Sequence, residues 1–585
     1  MTVRHKKLLS CLLVVALIFT VLSGCGGKNN TVNTNTDASK ETESTTAEPT
    51  KAAEVNSLAA NIAGNTAPTD EEKTMVNDTL EDSYLGDVFD TKIPNDYSAY
   101  PVKDTTLDIW MPSNSILASV SDDLNNQMVF DQVEKLTGIK VNFIVPPLGE
   151  ETTNFNLMIA SGELPDIIID AGRYTGGIAA GVADGAYLPL NDVVEKNMPN
   201  YNTWRNSDED RRVTSVLDDG TLGAIYGLAP YNEWCWFGML IKQEALDKTG
   251  MAVPESIEEW HDFLLACKAA GYKEPLNYGS TYGQIFTGIL NGAYGVWDWM
   301  YIDKDGKAAW GPAAEGAKDY LTTMQQWNSE GLFNKDWATA DFNQRMAEAA
   351  SSDCAAMMDS PDTMWGYWKQ DNNIDFVGAL NPVLNKGDKP QQTYKNFKST
   401  GTTAAITTQC DNIEAAAAFL DFAFTKKGWE VYNYGSYGDV HLVDEKGMPY
   451  FPEDGFMYND PDGQPLSNLI WKYRVHSFAN IRDEHNSNPL ITAKGSYSGT
   501  IREYWTSNTD DSVTMPPVSF TSDESAREGE LGTVLSTLRN EYFAKIVMGQ
   551  LPVSAYDEFL KKAKAQGLDE FVQLWQTALD RYNAR

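Results

Sequence analysis

Between Thr105 and Ile169, three short apolar runs alternate with two helical patterns, and this alternation constrains the fold more than any other feature. Thr106-Leu107-Asp108-Ile109-Trp110 alternates as a strand does. Val129, Val133 and Leu136 then fall on one helix face with Phe130 beside them. Thr137-Gly138 closes that helix with a glycine suited to the left-handed position. Val141 to Val145 is an apolar strand, and Phe155 to Ser161 a second helix carrying Leu157, Met158 and Ile159. Leu164-Pro165 breaks the chain before Ile167-Ile168-Ile169, a run with no polar face. Strands apolar on both faces and separated by helices predict βαβ units on a parallel sheet, the α/β class. Ligands of such sheets sit outside the carboxyl ends of strands. That singles out Trp110 to Ser113 and Asp170 to Tyr174, with Ser113, Asp170 and Arg173 as polar candidates.

At 585 residues the chain is longer than one ordinary domain, and its 42% apolar and 11% aromatic content can fill large cores. Acidic residues number 82 and basic residues 46, a formal charge of -36. A polyanion of this kind has no general means of neutralising phosphates, which argues against nucleic acid and against a basic patch on an anionic membrane. The five histidines and six cysteines include no pair at zinc-site spacing. Asp303-Lys304-Asp305-Gly306 and Asp460-Pro461-Asp462-Gly463 lack the first and twelfth ligands of a calcium loop and read as turns between strands. Cys235, Cys267, Cys354 and Cys410 allow three disulfide pairings with nothing to choose among them, and reduced core thiols are the plainer reading.

The first residues read as a secretory signal. Arg4, Lys6 and Lys7 precede an apolar stretch from Leu8 to Leu22, too short for a membrane span. Leu22-Ser23-Gly24-Cys25 resembles the lipobox of bacterial lipoproteins, which implies cleavage after residue 24 and acylation of Cys25. From Gly26 to about Thr69 the chain is polar and lacks aromatics, as a tether would, and residues 25–104 are assigned to anchor and tether.

Several stretches resemble the extracellular solute-binding proteins of ABC importers, family 1, the maltose-binding type. Phe130 to Val141 looks like that family's opening helix and strand, and Leu157 to Ile168 like its most characteristic run. Tyr187 to Asp192 also fits, as do Met239-Leu240-Ile241 with the helix Gln243 to Gly250. Ser256-Ile257-Glu258-Glu259-Trp260 opens a helix like the family's and carries the spacing of a capping box. Ala349 to Met358, Ile406 to Tyr434 and Glu541 to Tyr582 resemble later elements in the family's order. The resemblance implies a two-lobe fold of the periplasmic-binding-protein type II with a hinge. It implies lobe one at 105–215 and 375–440, lobe two at 216–374, and a C-terminal region, 441–585, on lobe two and the hinge. It further implies a monomeric, lipid-anchored receptor on the outer face of the cell membrane, without cofactor or catalysis, that delivers a carbohydrate to separate permease subunits.

Sugar rings have apolar C–H faces and hydroxyl rims, so their sites combine flat aromatic walls with a few polar groups. Sixteen tryptophans and 27 tyrosines supply many walls. Trp234 and Trp236 precede the expected crossing between lobes, and Trp297 and Trp299 lie in a Gly- and Tyr-rich stretch. Trp365 and Trp368 follow Asp359-Ser360-Pro361, where the resemblance implies a sugar-stacking tryptophan. Tyr434, Tyr437 and His441 are expected at the face between lobes. Each of these aromatics could equally be core packing. A peptide-binding protein would share the lobes. A secreted glycosidase would need two placed carboxylates, which 82 acidic residues cannot single out, and no nucleophile motif is present.

Overall fold

The computed structural model describes residues 96–585, apart from 104, 122, 279–288, 371, 394, 396, 446, 476 and 494. The signal, Cys25 and nearly all of the tether lie outside the described residues.

The strands run in chain order through two sheets. β1 (Thr105–Trp110), β2 (Ile139–Ile144), β3 (Ile167–Ile169) and β4 (Ile225–Leu228) belong to the first. β5 (Gly238–Lys242), β6 (Leu276–Asn277), β7 (Ala356–Asp359) and β8 (Phe376–Ala379) form the second. β9 (Ser399–Ile406) returns to the first. The orders are β2-β1-β3-β9-β4 and β8-β5-β7-β6. β1 pairs in parallel with β2 and β3, as the alternating pattern predicts, and β9 inserts antiparallel between β3 and β4. Leaving and re-entering the first sheet is the topology of a two-lobed binding protein.

Burial explains the apolar runs. Ile167 and Ile169 of β3 join the larger core, while Ile168 faces the opposite side with Trp110 and Phe155. All three are buried because helices cover both faces of the sheet. β5 behaves alike. Met239 and Ile241 enter the core of the second sheet, while Leu240 faces Trp365, Trp368 and Trp505. Gly238 and Gly378 make room for Trp505; a Cβ at either would fall within 3.1 Å of its indole. The Trp505 indole N–H donates to the Ala379 carbonyl at 2.8 Å, fixing the helix Ser498–Asn508 against the second sheet.

Local signals fall where the sequence places them. Met128–Thr137 ends at Gly138 with φ 73°, where a Cβ would lie 2.2 Å from the Val102 carbonyl oxygen. Ser256 and Glu259 form the reciprocal capping box of Ile257–Ala269. Asp303 to Gly306 turns between the strands Met300–Ile302 and Ala308–Trp310. The second Asp-Gly sequence is a correction: Asp460 to Gly463 leads not into a strand but into the helix Leu466–Tyr473. There Asp460 accepts from Lys472 at 2.5 Å and Tyr473 at 2.6 Å. The four cysteines are free and buried. After β9, residues such as Val440, Leu469, Phe478 and Trp505 pack into the first core. The helices Ser522–Val547, Ala555–Ala565 and Leu568–Tyr582 pack into the second.

Candidate functional site

A cavity of about 650 Å³ opens between segments of the two sheets. This volume is in the ordinary range for a small-molecule site, about 300–1,000 Å³. Five stretches distant in sequence build its wall. The first sheet contributes Ser399, Thr400 and Gly401 at the start of β9, where the register against β4 shifts and Gly401 takes φ 76°. A bulge of this kind re-aims a strand edge toward a site. The second sheet contributes Ser360, Asp362 and Thr363 just after β7. The crossing from β4 to β5 adds Glu233 and Trp236, and the crossing back adds Lys395 and Phe397. The region beyond residue 466 closes the space with Ile470, Trp471, Arg482, Glu484, Asn488, Leu490 and Arg502. Ile116, on the helix Ser115–Val120 after β1, completes it.

The wall therefore has flat apolar surfaces from Trp236, Phe397 and Trp471 and a set of paired charges. Arg502 Nη1 lies 3.0 Å from Asp362 Oδ2, and its Nη2 donates to the Trp234 carbonyl at 3.1 Å. Arg482 Nε lies 3.1 Å from Glu484 Oε1, which also faces Arg474 at 3.8 Å. Behind this layer, His485 is stacked between Tyr231 and Trp234, with ring centroids 3.8 and 3.7 Å away. Its backbone N–H donates to the Tyr231 hydroxyl at 3.0 Å, and that hydroxyl donates to Asp483. Burial, and then the charge of Arg502, hold the His485 imidazole down to about 3. Burial and the neighbouring Glu484 push the Glu233 carboxyl up to about 8. At neutral pH His485 is thus uncharged and Glu233 is a protonated acid able to donate as well as accept.

Of the residues singled out in the sequence, Trp236 stands on the cavity wall. Trp234 belongs to the same stretch but spends its ring face on His485. Trp110, Trp297, Trp365, Trp368 and Tyr434 are core side chains in the structure, each at most 5% exposed. Trp110 packs on Phe155 at 5.1 Å and Trp365 on Tyr497 at 5.0 Å. The Trp368 indole N–H donates to the Ala349 carbonyl at 3.1 Å. Trp297 lies against Tyr301 at 6.2 Å, and Tyr434 against Phe451 at 5.4 Å. His441 joins Lys427 and Glu430 in a buried triad, with Glu430 Oε1 2.6 Å from the lysine and 3.0 Å from the histidine. Ser113 donates to Glu151 at 2.5 Å, and Arg173 pairs with Asp170 at 2.9 Å. Arg173 also donates to Thr152, beside Glu151, at 3.4 Å, so the carboxyl ends of β1 and β3 meet in one polar group outside the cavity lining. Sequence reasoning missed Glu233, Phe397, Trp471, Glu484 and Arg502. The run Arg482-Asp483-Glu484-His485 was the available signal: four ionisable residues together in a chain segment otherwise rich in apolar and amide side chains.

An open cleft with aromatic and polar walls between two sheets that share one returning chain defines a two-lobed α/β ligand-binding protein. The family model described as bacterial extracellular solute-binding protein matches residues 123–428, more than half of the chain. The chain belongs to that family. Among curated relatives, the fructooligosaccharide ABC transporter substrate-binding protein FusA of Streptococcus pneumoniae is 21% identical over 497 residues, covering 79% of this chain and 88% of FusA. The polygalacturonan/rhamnogalacturonan-binding protein YtcQ of Bacillus subtilis is 22% identical over 467 residues, covering 76% and 87%. Among solved structures, alginate-binding protein AlgQ2 superposes with a TM-score of 0.68 at 21% identity, covering 83% of this chain and 99% of that one. FusA in complex with kestose gives 0.67 at 17% identity, covering 82% and 100%.

Proposed function

We propose that this protein is an extracellular receptor, anchored through acylated Cys25, that captures an oligosaccharide and delivers it to the separate permease of an ABC importer. The observation that carries the reading is the cavity wall, where Trp236, Phe397 and Trp471 offer faces for sugar rings and paired acids and guanidinium groups offer partners for hydroxyls. Relatives named for fructooligosaccharide and polygalacturonan binding point the same way. One lobe is built on the first sheet, including β4 (Ile225–Leu228), the other on the second, including β8 (Phe376–Ala379). The crossings thus fall later than the expected bounds of 215 and 374, and the lobes close about those crossing segments. A ligand touching both favours the closed state because only that state offers it both sets of contacts. Affinity near micromolar, about -8 kcal/mol, suits capture followed by release. No bond is made or broken.

The test is calorimetric titration of the protein against oligosaccharides and short peptides, with X-ray scattering on the same samples. Saturable one-site binding of a sugar with a smaller radius of gyration is expected. Binding of peptides alone would overturn the sugar assignment while keeping the receptor.

A further inference from the structure

We infer that the ligand is an uncharged, polyhydroxylated oligosaccharide, and that the cavity discriminates against sugars bearing carboxylates. The inference rests on the sugar reading above and narrows it. The guanidinium groups of the wall, buried Arg502 and half-exposed Arg482, already have carboxylate partners. Arg502 is held by Asp362 at 3.0 Å, with their side chains 5% and 11% exposed. Arg482 is held by Glu484 at 3.1 Å, and Glu484 also faces Arg474. An incoming carboxylate would have to displace Asp362 or Glu484 and leave it buried beside a second negative charge, a costly arrangement. A hydroxyl meets no such conflict. It donates to the carboxylate and accepts from the guanidinium while the pair stays intact.

The other groups near the wall add no buried positive charge. His485 is stacked between two rings and stays neutral. Glu233, whose carboxyl oxygens are buried and lie 3.5 Å from the His485 ring nitrogen, is pushed toward its neutral acid and adds no positive charge. Lys395 is exposed, with its ammonium over the Phe397 ring at 5.4 Å, where salt screens it. At longer range the net charge of -36 opposes the approach of any anion.

The test is competition titration of the full chain with oligosaccharides that differ by the C6 carboxylate: manno- against mannuronate and galacto- against galacturonate, beside neutral fructans. A neutral sugar should bind, and each acidic sugar should bind at least about tenfold more weakly than its neutral counterpart. Glu484→Gln leaves Arg482 with surplus positive charge and should narrow that gap. Tighter binding of an acidic sugar than of every neutral one would overturn the inference and leave the sugar receptor standing. A folded Glu484→Gln protein with an unchanged gap would also count against it. Should that variant fail to fold, the wild-type pairs decide alone. Silence of all sugars, with or without peptide binding, would overturn both readings.

Discussion

His485 lies flat against Trp234, with ring centroids 3.7 Å apart and planes within 19° of parallel, and Tyr231 covers its other face. The stack fastens the segment at 482–488 to the crossing between the sheets, so two stretches some 250 residues apart present Glu233, Trp236, Arg482 and Glu484 to one cavity. Trp234 orients the wall from behind.

The stack and its neighbour set opposite pH dependences. His485 drops from its ordinary 6.5 to about 3, so its contribution is fully present above pH 6.5 and is lost as pH falls toward 3. Glu233 rises from 4.5 to about 8, so its contribution is present below pH 4.5 and is lost as pH rises through 8. Thermal unfolding across pH 6.5 to 8 should therefore show a smaller fall in Tm for Glu233→Gln than for the wild type. An equal fall in both would contradict a protonated Glu233.

Tryptophans of the wall and of the core should separate cleanly. Trp368 is fully buried, and Trp368→Ala should cost about 3–5 kcal/mol in denaturant unfolding. Trp236 is half-buried on the cavity, and Trp236→Ala should leave unfolding nearly unchanged. Its effect should appear in ligand affinity, about 2 kcal/mol or roughly thirtyfold.

Glu430 is the acid of the buried triad. Burial pushes its carboxyl up, but Lys427 and His441 outweigh burial and hold it down to about 2. Its contribution is present above pH 4.5 and is lost as pH falls through 2. Glu430→Gln would leave Lys427 buried without its counter-charge and should destabilise the protein by about 3–5 kcal/mol at neutral pH. Denaturant unfolding at neutral pH measures the loss.

The thiols should be silent in the folded protein. Burial pushes Cys235 up to about 11 and Cys267 and Cys410 to about 12, and raises Cys354 as well. Reaction with an aromatic disulfide reagent should be slow natively and release all four from this region in denaturant. Fewer than four without reductant would indicate a disulfide.

The fold was legible because its signals are local. The three isoleucines at 167–169 declare a strand covered on both faces, Gly138 a left-handed helix end, and Ser256 with Glu259 a capping box. The strands β1 to β3 and the helices between them follow from such short-range rules, whereas β4 and the antiparallel β9 carry no such local signal and complete the sheet by long-range pairing. The site was legible only in part, because its wall is assembled from stretches near 233, 362, 397 and 470–502. No periodicity within one stretch reveals that Trp236 faces a cavity while Trp365 and Trp368 face the second sheet. Asp460-Pro461-Asp462-Gly463 misleads for a related reason. Its acids accept from Lys472 on the following helix, a tertiary contact that turn chemistry alone does not encode.

The most direct test of the account is where a bound sugar lies. Calorimetric titration of the best-binding oligosaccharide into Trp236→Ala, Trp471→Ala and the wild type compares the two cavity faces under one condition. The account expects both variants to stay folded and to bind at least about tenfold more weakly. Unchanged affinity in both folded variants would place the ligand elsewhere and contradict the assignment of this cavity.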